Sequence, residues 1–176
     1  MFWMPQLIKA SFTQYSNRAI GILVMIPYVT AVSAMILVAC SSDHSLERYY
    51  HAAVPELVAA IALLLLGTVV TISPLLLIVL WCLAAMGIFS FMGPFWSLPN
   101  AFLTGSCAAV GIALINSIGN IGGIVGPYAM GAMNKRVGSV HGGLVLAAIS
   151  LGVSATLLIT LRKMVSQQAQ PPVCAT

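Results

Sequence analysis

The sequence is most unusual for how little charge it carries. Its 176 residues include 7 Lys and Arg and 3 Asp and Glu, so only 6% are charged. No Asp, Glu, Lys, Arg or His occurs in the 78 residues from Leu57 to Asn134. An ordinary globular chain is about a quarter charged, because its surface faces water. The scarcity excludes a soluble domain, and the few basic residues suit membrane loops rather than a patch that binds nucleic acid.

Cysteine is also scarce, and its spacing carries no metal motif. Of the 4 cysteines, Cys40, Cys82 and Cys107 lie in apolar runs and Cys174 lies near the end of the chain. Structural zinc sites need closely spaced pairs of ligands, which this sequence lacks. We interpret these cysteines as small packing residues rather than disulfides or metal ligands. No cofactor and no metal are expected.

Apolar residues are abundant instead, at 60% of the chain, and mean hydropathy is +1.05. In a bilayer each backbone N–H and C=O must be paired within its own segment, so an apolar chain crosses as helices of about 20 residues. The sequence predicts an all-α, polytopic membrane helix bundle. Residues 1–18 are predicted as the tail of another helix plus a loop, and residues 164–176 as a disordered tail. The five transmembrane helices are predicted at about 19–39, 55–72, 74–96, 105–130 and 142–161.

The fourth predicted span has two amides among glycines. At helical spacing one face of this span carries Asn116, Gly119, Asn120, Gly123 and Pro127, and bulky aliphatic residues lie opposite. Two interpretations stay open. Small residues and amides can join membrane helices closely, or the glycines can leave room for a solute that the amides bind. Trp96 has the same two interpretations, an anchor at the membrane interface or the wall of a substrate pocket.

The densest polar cluster lies in the predicted loop over residues 40–53. It includes Asp43, which follows the first span, and Arg48. One interpretation is a solvated connection between two helices. The other is a latch, in which Asp43 lies near a helix end and Arg48 pairs across to another helix.

Several of these motifs resemble one family. The segments Pro94-Phe-Trp-Ser-Leu-Pro99, Ile115-Asn-Ser-Ile-Gly-Asn120 and Gly126-Pro-Tyr128, with Glu47-Arg48 in the loop, resemble the anion:cation symporter family of the major facilitator superfamily. The resemblance implies a partial major-facilitator fold, in which the five spans are helices eight to twelve of a twelve-helix carrier. It implies the C-terminal portion of a secondary active transporter that moves organic anions, such as sugar acids or aromatic acids, together with protons.

The resemblance also assigns roles to residues. It implies that Asn116 hydrogen-bonds substrate oxygens and that Trp96 packs against the carbon skeleton, with Asn120 as a further substrate-binding candidate. In such carriers the first six helices supply most of the acids and the arginine that meets the anion. We therefore expect this chain to be a truncated carrier, inactive alone and completed by a separate N-terminal half.

Two other classes remain as alternatives. The first is a small membrane subunit with a structural or regulatory role. The second is an intramembrane hydrolase that uses Ser106 and His141, but these residues open successive spans and should lie at opposite membrane faces. We expect no enzyme activity and no nucleic acid partner. The expected location is within the lipid bilayer of a bacterial inner membrane.

Overall fold

The computed structural model describes residues 4–12, 14–69, 74–103, 105–138 and 141–168. Within these ranges the chain forms helices and no strands. In chain order the helices are α1 (Met4–Ser11), α2 (Asn17–Ser45), α3 (Tyr49–Val69), α4 (Pro74–Ser90), α5 (Met92–Phe102), α6 (Gly105–Val137) and α7 (His141–Gln168).

Five segments of the described chain are long and apolar enough to cross a membrane. Helix α1 has only 8 residues, too few for a crossing. Helices α4 and α5 together supply one span, with a break at Phe91. The predicted all-α membrane bundle with five spans is confirmed. The segments are Asn17–Ser45, Tyr49–Gly67, Leu75–Asn100, Cys107–Val137 and His141–Ser166.

The helix limits differ from the predicted ones at several places. Helix α2 continues to Ser45, past the predicted end of the first span at residue 39, and α6 continues to Val137, past the predicted end of the fourth at residue 130. Helix α3 begins at Tyr49 rather than near residue 55, and Pro55 lies inside it. A cap explains the earlier start, because Glu47 Oε2 accepts a hydrogen bond of 2.8 Å from the backbone N–H of Tyr50. Helix α7 continues to Gln168, so residues 164–168 of the predicted tail are helical. The predicted end of the second span at residue 72, residues 169–176 of the tail and Cys174 lie outside the described residues.

Helix α3 lies at the centre of the bundle and packs against α4 and α7, while α2 packs on α4. The closest approach is at Gly87 of α4. A Cβ atom added there would collide with the carbonyl oxygen of Pro55 and would lie 2.7 Å from the Cβ of Ala59. Small residues allow membrane helices to approach this closely. The interface thus uses the backbone of α3 as part of its packing surface.

Helix α6 is attached to the bundle mainly through α7. Near their junction, Asn134 Oδ1 accepts a hydrogen bond of 2.7 Å from the backbone N–H of Gly143, which satisfies one free donor in the first turn of α7. Gly138 makes the turn between the helices with φ +70°, a conformation that favours glycine. The rest of α6 is open, because none of the apolar window of its span is buried in the described structure.

Candidate functional site

The two amides of α6 lie on an open helix face. Asn116 and Asn120 are exposed, and both belong to one continuous helix. A Cβ atom added at Gly119 or Gly123 would meet no atom within 4 Å. This face therefore offers hydrogen-bonding groups and free space together.

A different row of α6 residues faces the bundle. It borders a largely apolar cavity of about 520 Å³ between α6 and helices α3, α4 and α7. The α6 residues that line it include Gly122, Gly126 and Met130. The bulky residues opposite the amides are exposed as well, with Ile118 62% exposed. An added Cβ at Gly122 or Gly126 would also meet no atom within 4 Å, so open space borders both rows along this part of α6.

Trp96 lies on α5, in the second half of the span that α4 and α5 form. Its ring is half-buried and packs edge-on against Phe95, with 5.5 Å between ring centroids. Its backbone oxygen accepts a hydrogen bond of 3.2 Å from Asn100 Nδ2. Among the described residues no hydrogen bond joins the Trp96 side chain to Asn116 or Asn120. A substrate site shared by these three residues stays a prediction.

A polar cluster joins the start of α3 to the end of α7, and Glu47 is its centre. Glu47 Oε1 accepts a hydrogen bond of 3.2 Å from Arg162 Nε, and Oε2 lies 3.4 Å from His51 Nδ1. Arg162 Nη1 also donates to the hydroxyl of Tyr50 at 3.1 Å, and its guanidinium lies 4.2 Å from the centroid of that ring. One carboxylate thus connects two helices that are far apart in sequence.

The two residues of the predicted latch lie beside this cluster. Arg48 Nη1 donates a hydrogen bond of 3.0 Å to the backbone oxygen of Ser97, so it reaches another helix, α5. Asp43 Oδ1 lies 4.0 Å from Arg48 Nη2, and its side chain is 72% exposed, so this ion pair is weak. A latch function for Arg48 and Asp43 stays a prediction. Sequence reasoning missed the contribution of Glu47 and Arg162, because nothing in the sequence shows that residues so far apart meet.

One carboxyl group lies inside the membrane bundle. The second span was predicted to begin at about residue 55, but Glu56 lies 7 residues after Tyr49, the first residue of α3. Its side chain is buried, and its Oε1 accepts a hydrogen bond of 3.1 Å from Ser154 Oγ of α7. The sequence signal was available, since Glu56 directly precedes the long charge-free run.

The hydrolase alternative has no geometric support. Ser106 lies in the first turn of α6, whereas His141 begins α7 after the far end of α6. At 1.5 Å per residue, the length of α6 between them is on the order of 45 Å. A serine nucleophile and its histidine base must lie within hydrogen-bonding distance, about 3 Å.

The described structure is thus an integral membrane helix bundle with an open amide-bearing helix on one side. Three curated relatives resemble its sequence closely. A quinolone resistance transporter of Acinetobacter baumannii is 37% identical over 147 residues, which cover 84% of this chain and 33% of the relative. A protein of Agrobacterium vitis provisionally named a tartrate transporter is 39% identical over 163 residues, covering 92% of this chain and 35% of the relative. NicT of Pseudomonas putida, provisionally named a metabolite transport protein, is 35% identical over 160 residues, covering 91% and 36%.

The chain belongs to the major facilitator superfamily of membrane transporters, and the resemblance drawn from its motifs is confirmed. It spans about a third of the length of the curated relatives it matches. These relatives are named as transporters and not as enzymes, in agreement with the expectation of no enzyme activity. No family model matches the chain. No solved structure matches it with significance.

Proposed function

We propose that this chain supplies the C-terminal wall of the substrate cavity in a secondary active transporter for organic anions. The open amide face of α6 is the observation that carries the proposal. Membrane domains place polar groups toward a cavity or a neighbouring helix, because lipid cannot hydrogen-bond them. The amide groups of Asn116 and Asn120 are exposed, and each can donate and accept hydrogen bonds.

The amides suit the oxygens of a carboxylate or a hydroxyl group. The amide N–H of Asn116 donates to such an oxygen, and its carbonyl accepts from a hydroxyl hydrogen. Asn120 follows one turn later on the same face and extends the contact along the substrate. Trp96 offers an apolar ring surface for the carbon skeleton. The provisional name of the Agrobacterium vitis relative supports a small hydroxy acid as the substrate class.

The remaining parts of the carrier come from the other two thirds that the longer relatives contain. An anion crosses a membrane more readily when a cation accompanies it, and a proton is the proposed coupling ion. The only basic residues of α6 are Lys135 and Arg136 in its last turn, so no Lys or Arg lies beside Asn116 and Asn120 on this helix. A separate N-terminal half would add the missing charges, and this chain alone would not transport. We place the assembled carrier in a bacterial inner membrane, where the RhmT relative of Escherichia coli is named as a transport protein.

A chimera tests the proposal. In the provisionally named tartrate transporter of Agrobacterium vitis, this chain replaces the segment that it matches, and uptake of radiolabelled tartrate is measured in proteoliposomes. We expect uptake by the chimera and none by this chain alone. Asn116→Ala should reduce uptake about tenfold or more, because a good hydrogen bond to a charged group contributes about 1.5–3 kcal/mol. The matched control is Ser117→Ala, since Ser117 Oγ donates to the backbone oxygen of Ala113 within the same helix.

The Asn116→Ala variant tests the proposed substrate contact, and uptake by the chimera itself tests the proposed transport function. Uptake that Asn116→Ala leaves unchanged would contradict the role of Asn116 and leave transport standing. A correctly inserted chimera with no uptake of tartrate or of other hydroxy acids would contradict the organic-anion proposal. Uptake that persists unchanged when a protonophore collapses the pH gradient would contradict proton coupling.

A further inference from the structure

Glu56 is an acidic residue in the interior of the described bundle. Its side chain is 2% exposed, and it lies within the candidate membrane span Tyr49–Gly67. The other two acids of the chain, Asp43 and Glu47, lie before this span and reach solvent. An ionisable group inside a membrane domain is costly and is commonly functional.

Two levels of contact join α3 to α7. At the end of the helices, Glu47 binds Arg162, and deeper in the bundle Glu56 binds Ser154. Glu56 is 7 residues along α3 from Tyr49, and at 1.5 Å per residue this is about 10 Å. The deeper contact therefore lies well below the polar cluster at the helix ends.

The hydrogen bonding of Glu56 is incomplete. Oε1 accepts from the hydroxyl of Ser154 at 3.1 Å, whereas Oε2 is buried with no hydrogen-bond partner among the described residues. An ionised carboxylate spreads its charge over both oxygens and needs donors or a cation at each. A neutral carboxyl has one carbonyl oxygen, which Ser154 satisfies.

No positive charge compensates Glu56 in the described part of the chain. Helix α5 carries no titratable side chain, and α4 carries only Cys82. Arg162 and His51 both bind Glu47, in the polar cluster at the helix ends, and not Glu56. Apart from Tyr28 in the middle of α2, the remaining titratable groups lie toward the helix ends: Arg18, Cys40, Asp43 and His44 on α2, Tyr49 and Tyr50 on α3, and His141 and Lys163 on α7.

We propose that Glu56 is a proton-binding site inside the membrane domain, held neutral by its packing between α3 and α7. A buried carboxylate that lacks a counter-ion takes up a proton rather than remain charged. In this state Oε2 carries the hydrogen and Oε1 is the carbonyl that accepts from Ser154. Release of the proton breaks the Oε2–H bond and passes the proton to water, which must first reach the α3–α7 interface. The site does not depend on the transport activity proposed above.

Infrared spectroscopy tests this site on the full chain, purified in micelles of a detergent without ester or carboxyl groups, such as dodecyl maltoside. The chain is well suited, because its only acidic side chains are Asp43, Glu47 and Glu56. At pH 7 we expect one carbonyl stretch from a protonated carboxyl group, shifted in D₂O. Glu56→Gln should abolish this band, and the matched control Glu47→Gln should leave it in place.

Ser154→Ala provides a second readout that keeps the carboxyl group. Removal of the hydroxyl donor should move the carbonyl stretch to higher frequency without abolishing it, because the carbonyl loses its hydrogen bond. A merely structural contact with an ionised Glu56 would give no such band. The proposal is overturned if no protonated carboxyl is seen at pH 7, if the band titrates near the ordinary midpoint of Glu at about pH 4.3, or if the band survives in Glu56→Gln.

Discussion

Replacing Gly87 by alanine should weaken the central interface of the bundle. The new Cβ would lie 2.7 Å from the Cβ of Ala59 and would collide with the carbonyl oxygen of Pro55. Carbon atoms prefer about 3.5–4.0 Å, so α3 and α4 must separate by about 0.8 Å or more at this point. A gap of about 0.5–1 Å forfeits a quarter to a half of each dispersion contact beside it. Overpacking of this kind costs about 1–3 kcal/mol.

The measurement is reversible unfolding of the purified chain in mixed micelles, with increasing dodecyl sulfate and the loss of helix followed by circular dichroism. The matched control is Gly21→Ala on α2, where an added Cβ meets no atom within 4 Å. That substitution should leave stability unchanged or raise it by up to about 1 kcal/mol, because alanine is the better helix former. The two variants thus make the same chemical change in a crowded place and in an open one.

The reasoning is refuted if Gly87→Ala unfolds at the same denaturant fraction as the native chain, or if both variants lose stability equally. The first result would mean that α3 and α4 are not in close contact at Gly87. The second would mean that alanine acts through the helix itself and not through packing between helices. A larger residue, Gly87→Val, should destabilise further, because its side chain extends beyond the same collision.

Two further predictions concern the ends of the helices. Arg162→Ala should lower the free energy of unfolding by about 1 kcal/mol in the same assay. The loss should be larger at low salt than at high salt, because its partners Glu47 and Tyr50 are partly exposed. A double-mutant cycle with Glu47→Gln should give a coupling energy above zero, and additive effects would contradict the contact. Asn134→Ala should lower the free energy of unfolding by about 0.5–2 kcal/mol, because the first turn of α7 loses its cap. Asn100→Ala removes an exposed hydrogen bond to the backbone and should lower it by less. Equal losses of stability in the two variants would contradict the capping role.

The scarcity of charge was enough to predict a membrane helix bundle, whereas local polar contacts set a helix limit that the sequence did not predict. A charge-free run long enough for three crossings needs no other information to be recognised as membrane-spanning. The start of α3 was harder, because Pro55 followed by Glu56 has the pattern of a helix start. The helix begins earlier because Glu47 reaches the N–H of Tyr50, and the upstream residues pack against α5 and α7.

The candidate site divides in the same way. Helical spacing alone placed Asn116 and Asn120 on one face of α6, since every residue of a regular helix has a fixed direction. It could not indicate what faces them, because that depends on the packing of other elements. Glu47 and Arg162 are 115 residues apart in sequence, so their contact could not be predicted for the same reason.

Two kinds of polar group in the bundle therefore differ in their surroundings, and this difference suits them to different roles. The amides of α6 are open and uncharged, and under the proposed function they exchange hydrogen-bond partners with a solute. Glu56 is closed off between α3 and α7, so any change in its charge must be accompanied by movement of those helices or entry of water. A carrier that couples a solute to a proton needs both properties. In this chain they lie on different helices, so coupling between them would pass through the helices that contact both α3 and α6, chiefly α7 and also α5.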